Sequence, residues 1–120
     1  MITRSAVAAL LVALLGACAG APPSEATSER AAMESDGRDI AEAQCAACHA
    51  VGVYGDSPNP SAPVFRTLLT RYSAGVLEEE LIAGIQVAHP MPEFQFNPQG
   101  ADALIAYLQS IQQNPPTPAP

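Results

Sequence analysis

The stretch Cys45-Ala46-Ala47-Cys48-His49 constrains this chain more than any other. Two thiols stand three positions apart, close to one helical turn, with an imidazole directly after the second. C-x-x-C-H spacing suits two thioether bonds to the vinyl groups of a haem, with the histidine held under the iron as its proximal ligand. Two other chemistries use such residues. A zinc site needs four ligands, and apart from Cys45, Cys48 and His49 only His89 offers an imidazole or thiolate donor in the domain. A thioredoxin-like dithiol needs a βαβ context, and no strand pattern of useful length is visible. The motif therefore predicts one covalent haem c, and a domain that wraps, ligates and tunes it.

Composition agrees with a cofactor at the centre. The chain has 120 residues, no tryptophan, three tyrosines and three phenylalanines. So short a chain holds one domain, near the size at which an apolar core alone struggles to support a fold. The formal charge is −7, and the five basic residues are Arg4, Arg30, Arg38, Arg66 and Arg71, with no lysine. That balance argues against nucleic acid and anionic lipid as electrostatic partners, and suits a protein partner with a basic docking patch.

Residues 1–17 are predicted to be an export signal. Arg4 provides the positive end, Ala6–Leu15 is apolar and uncharged, and small residues follow. Leu15-Gly16-Ala17-Cys18 resembles the lipobox of bacterial lipoproteins, which makes Cys18 the expected lipidation site; cleavage after Ala19 or Ala21 is the competing expectation. Residues 18–34, rich in Ala, Pro, Ser and Glu without apolar periodicity, read as a flexible tether. Residues 35–114 are expected to form the folded domain, and 115–120 a proline-rich tail. The predicted location is periplasmic, anchored to the membrane by the lipid, or else soluble in that compartment.

Within the domain, Ser35 or Asp36 is a candidate cap for a helix over 37–47 that runs into the motif, with Ile40, Ala43 and Ala47 on one face. Residues 50–63 carry Gly52, Gly55, Pro58, Pro60 and Pro63 and read as loop. Val64, Phe65, Leu68, Leu69 and Tyr72 predict a short helix. Ser73 can cap the next, over 74–84, with Leu77, Leu81 and Ile85 inward and Glu78–Glu80 on a solvated face. Asn97-Pro98 is a cap followed by proline at the first helical position, and Leu104, Ile105, Leu108 and Ile111 form an apolar stripe. The fold class is all-α, with four to five helices around one haem.

The other side of the iron calls for a second ligand. Met1 starts the chain and Met33 lies in the tether, so Met91 is the sole methionine inside the domain, held between Pro90 and Pro92. Two prolines stiffen that loop. His49/Met91 ligation raises a reduction potential relative to stronger donor pairs. His89 is the rival ligand. A ligating imidazole needs its other ring N–H fixed by an acceptor, and the Pro63 carbonyl is the candidate.

These residues together resemble the class I cytochrome c family, in its small monohaem bacterial form. Gly37 lies where the family's N-terminal helix has a glycine that admits the C-terminal helix. Cys45, Cys48 and His49 match the haem motif. Ala62-Pro63 with Phe65-Arg66 resembles the loop that hydrogen-bonds the proximal histidine. His89-Pro90-Met91-Pro92-Glu93-Phe94 resembles the H-P-x-M-P-x-F segment that carries the distal methionine, one residue shorter here. Leu104-Ile105-x-Tyr107-Leu108 matches the C-terminal helix. Ala41 stands where many relatives have a large aromatic, and their docking lysines are absent. The resemblance implies an electron-transfer protein, not an enzyme, working with redox partner proteins and without a small-molecule substrate. A haem-based gas or redox sensor, and a haem subunit of a periplasmic dehydrogenase or oxidase, are the alternatives.

Overall fold

The structure, a computed structural model, describes residues 24–86, 91–92 and 94–114. The expected leader, Cys18, His89 and the proline-rich tail lie outside the described residues. Three α-helices and one 3-10 helix follow in order: α1 (Glu25–Gln44), the 3-10 helix (Phe65–Thr70), α2 (Ala74–Ala83) and α3 (Pro98–Ile111). Among the described residues there are no strands, so the all-α expectation is met.

α1 and α3 cross in direct contact, and two small residues make this possible. A Cβ placed on Gly37 would lie 1.9 Å from the Ala103 carbonyl oxygen and 2.8 Å from the Tyr107 Cβ. One turn further on, Ala41 is fully buried, as is Ala101 across the crossing. Ile40 is half-buried and packs against the core beside the crossing. The α3 stripe of Leu104, Ile105, Leu108 and Ile111 is buried as the periodicity predicts.

Asn97 caps α3, its side chain accepting from the Gly100 N–H at 2.8 Å, with Pro98 in the first turn. Ser73 caps α2 by accepting from the Val76 N–H, and Gly84 ends it at φ +98°, a conformation that favours glycine.

Three expectations change. First, α1 starts at Ser24, not at Ser35 or Asp36: the Ser24 hydroxyl accepts from the Thr27 N–H. Residues 25–34 of the expected tether are therefore helical. Alanine, glutamate and arginine favour helix without any apolar face, and Arg30 adds an ion pair to Glu34 at 2.8 Å. That first stretch is exposed on nearly every residue. Second, α1 ends at Gln44, so the motif lies in the turn that follows and not in the helix. The buried face of α1 is Gly37 and Ala41, whereas Ala43 and Ala47 are exposed. Third, the expected short helix over 64–72 is a six-residue 3-10 helix with Phe65 and Leu68 buried and Tyr72 exposed.

A side chain without any apolar signature joins the 3-10 helix to α3. Gln112 accepts from the Leu69 N–H at 3.0 Å and donates to the Phe65 and Leu108 carbonyls at 2.8 and 2.9 Å. Next to it, the Gln113 N–H donates to the Arg66 carbonyl at 2.7 Å. Tyr107, buried at the crossing, donates its hydroxyl proton to the Val51 carbonyl at 2.9 Å.

Candidate haem site

The motif closes the end of α1 into one compact turn. The Ala41 carbonyl accepts from both Cys45 and Ala46, and the Cys45 carbonyl accepts from both Cys48 and His49. This turn brings the two cysteines and His49 to one side of the chain. Cys45 is buried and Cys48 half-buried. Burial pushes the Cys45 thiol up from 9.0 to about 11, so the folded chain holds it protonated at neutral pH. The thiolate is the reactive form, and the thioether bond removes this titration altogether.

The loop after the motif is pinned back onto it. The Ser57 hydroxyl accepts from the Ala50 N–H at 3.0 Å, the Asn59 N–H donates to the Cys48 carbonyl, and the Phe65 N–H donates to the Ala50 carbonyl. Arg66 adds a bond to the Gly55 carbonyl at 2.6 Å. These bonds bring Pro63 beside the imidazole, where His49 Nδ1 donates to the Pro63 carbonyl at 2.7 Å. The ring is thereby fixed in tautomer and orientation, with its proton on Nδ1. The Phe65 ring packs against it with centroids 5.1 Å apart. The spacing of the motif does not point to Phe65; its place directly after the Pro63 loop is the only sequence signal for that contact.

Beside this assembly lies a cavity of about 530 Å³. Cys45, His49, Pro63 and Phe65 form one part of its wall. Leu68 from the 3-10 helix, Leu77 and Leu81 from α2, and Leu104 and Leu108 from α3 form much of the rest. Met91, half-buried, also lines it. The Met91 segment is tied to the end of α2 by the Phe96 N–H, which donates to the Leu81 carbonyl at 3.1 Å. A narrower cleft of about 80 Å³ adjoins the motif and is shared by Cys45, Cys48, His49 and Met91. The structure thus places Cys45, His49, Pro63 and Met91 around the larger cavity and Cys48 on the adjoining cleft.

The space fits the cofactor that the motif implies. Its volume is within the range of roughly 300–1,000 Å³ usual for a small-molecule pocket. Its wall is dominated by leucine and phenylalanine, the Cys45 thiol and the oriented His49 imidazole line it, and Cys48 lines the adjoining cleft. Among the described residues, no group of three or more His, Cys, Asp and Glu side chains gathers to hold a metal ion. Cys45, Cys48 and His49 are therefore not assembled there as zinc ligands.

A family profile described as Cytochrome c matches residues 34–112. The chain belongs to the cytochrome c family. The match covers α1 from Glu34 onward, the motif, the cavity and α3, and leaves out the first turns of α1. Searches of curated proteins and of solved structures found no match. Family membership makes the chain a haem-binding electron-transfer protein that carries covalent haem c, with Cys45 and Cys48 at the attachment spacing. It also implies redox partner proteins.

Proposed function

We propose that the chain is a monohaem electron carrier whose haem is ligated by His49 and Met91, and that it serves a periplasmic redox chain. The observation that carries this reading is the cavity that the Pro63-bonded His49 and Met91 both line. Bound haem supplies a one-electron Fe(III)/Fe(II) couple.

The protein's part is to change little while that couple turns over. The Pro63 carbonyl holds the His49 ring in one orientation and raises its basicity. Met91 offers a soft thioether from a segment braced by Pro92 and by the Phe96–Leu81 bond. With His49 and Met91 both holding the iron, no place would be left there for a substrate, which would separate a carrier from a sensor or an oxygen-activating site. The leucine and phenylalanine walls keep water from the centre and favour the form with less charge. Acylation at Cys18 would hold the domain at a membrane surface, where the chain preceding α1 sets its reach.

The test is optical. The oxidised protein is expected to show the weak red sulfur-to-iron band, Met91→Ala to lose it, and the reduced parent to bind carbon monoxide slowly or not at all. Persistence of the band in Met91→Ala, or rapid carbon monoxide binding by the parent, would refute the ligation.

A further inference from the structure

The Pro63 carbonyl settles where the His49 proton sits, but one hydrogen bond leaves the plane of the ring some room to turn. A histidine ring rotates about its Cβ–Cγ bond in a broad well. A carbonyl oxygen accepts over a wide range of directions, and the bond weakens steeply only below about 120°. His49 also stands in the turn after α1, outside any helix whose packing would hold its side chain. A second contact is needed to stop the ring from turning.

Phe65 is placed to supply it. Its ring lies against the imidazole with centroids 5.1 Å apart and planes tilted by 47°, inside the geometry that aromatic pairs favour. It has no room to retreat. The residue is 6% exposed and packs in the core cluster that contains Leu68, Leu104 and Leu108. Its backbone is tied on both sides. The Phe65 N–H donates to the Ala50 carbonyl at 3.0 Å, and the Phe65 carbonyl accepts from the Gln112 amide at 2.8 Å. Ala50 follows His49 directly in the chain, so the bond that holds Phe65 also ties it to the backbone that carries the imidazole.

We propose that Phe65 is a positioning residue for the axial histidine, its ring fixing the plane in which the His49 imidazole meets the iron. A protein tunes a haem through its axial ligands and through the groups that hold them. The plane of an axial imidazole selects which of two iron d orbitals carries the unpaired electron of the oxidised form, and so the haem edges over which that electron spreads. A wall that cannot move keeps this distribution the same through each oxidation and reduction. The inference rests on the reading of His49 as an iron ligand and not on ligation by Met91.

The experiment records proton NMR spectra of the haem-loaded parent, Phe65→Leu, Phe65→Tyr and Ile105→Val, each oxidised and reduced. In the oxidised proteins the haem ring-methyl shifts report the orientation of the orbital that holds the unpaired electron. The reduced spectra give the ring-current contribution of residue 65, which is subtracted. Leucine keeps an apolar side chain but removes the flat wall, and tyrosine keeps the wall. Ile105 is buried on α3 but is not on the cavity wall, so Ile105→Val reports a loosened core alone. The order or spread of the methyl shifts is expected to change in Phe65→Leu and to stay with the parent in Phe65→Tyr and Ile105→Val. A parent pattern in Phe65→Leu, or an equal change in Ile105→Val, would overturn the proposal. Should Phe65→Leu fail to hold haem, the reduced parent decides. Nuclear Overhauser contacts between the Phe65 and His49 rings are expected there, and their absence overturns the proposal. The His49 β-protons of the oxidised parent test ligation separately: they are expected far outside the diamagnetic range. Unshifted, they would sink the ligation and the inference with it; shifted, with an unmoved methyl pattern in Phe65→Leu, they sink the inference alone.

Discussion

The α1–α3 crossing makes Gly37→Ala a sharp test of the packing that supports the haem cavity. The new methyl carbon would start 1.9 Å from the Ala103 carbonyl oxygen and 2.5 Å from its carbon. Both obstacles are backbone, so neither can swing aside, and the helices must part by about an ångström to restore contact distance. Overpacking costs roughly 1–3 kcal/mol, and an immovable obstacle places this site at the upper end, about 3 kcal/mol. Alanine recovers roughly 0.5–1 kcal/mol over glycine within a helix. The net loss is then about 2 kcal/mol, a fall of roughly 8–16 °C in melting midpoint for a domain of this size. Gly75, in the first turn of α2, is the internal control, because a Cβ there meets nothing within 4 Å. Gly75→Ala is expected to hold or gain up to about 1 kcal/mol. Urea titration of the haem-loaded proteins, followed by far-ultraviolet circular dichroism, measures both. If Gly37→Ala matches the parent within about 0.5 kcal/mol, or gains stability as Gly75→Ala does, the close crossing is refuted.

Other consequences concern the clamp, the helical extension and the thiols. Gln112→Ala removes two hydrogen bonds joining the 3-10 helix to α3 and one within α3; stability in urea is expected to fall by about 1–3 kcal/mol with the haem spectrum unchanged. A haem-loaded domain trimmed to begin at Met33 loses, among the described residues, only the exposed first turns of α1 and their Ser24 cap, so its unfolding free energy is expected to lie within about 0.5 kcal/mol of the parent. Thioether formation in vitro at Cys45 needs the thiolate, and burial pushes that thiol up to about 11. Below that pH the folded chain holds it protonated, so the rate is expected to rise as pH approaches 11. Mild denaturant is expected to move the rise down toward the ordinary 9.0, and mass spectrometry of the loaded peptide follows it.

The parts of the site that depend on short-range chemistry were legible in the sequence. Cys45, Cys48 and His49 carry a spacing with few competing uses, and the loop prolines made Pro63 a candidate acceptor that the structure places 2.7 Å from His49. The caps at Ser73 and Asn97 and the α3 stripe were equally readable, because each is a local pattern with one main physical cause. The start of α1 was not. Residues 25–34 form helix from propensity and i,i+4 pairing alone, and a search for apolar periodicity passes over them. The Gln112 clamp was hidden for a different reason. Its three partners are backbone groups of Leu69, Phe65 and Leu108, and backbone groups leave no trace in residue identity.

The central claim is that His49 and Met91 close the two faces of one covalently held haem. Proton NMR of the reduced protein tests it most directly, since a thioether methyl bound to haem iron is shifted far upfield by the ring current. One such methyl resonance is expected in the parent, absent from Met91→Ala. A reduced parent without that resonance, or one that keeps it in Met91→Ala, would contradict the account.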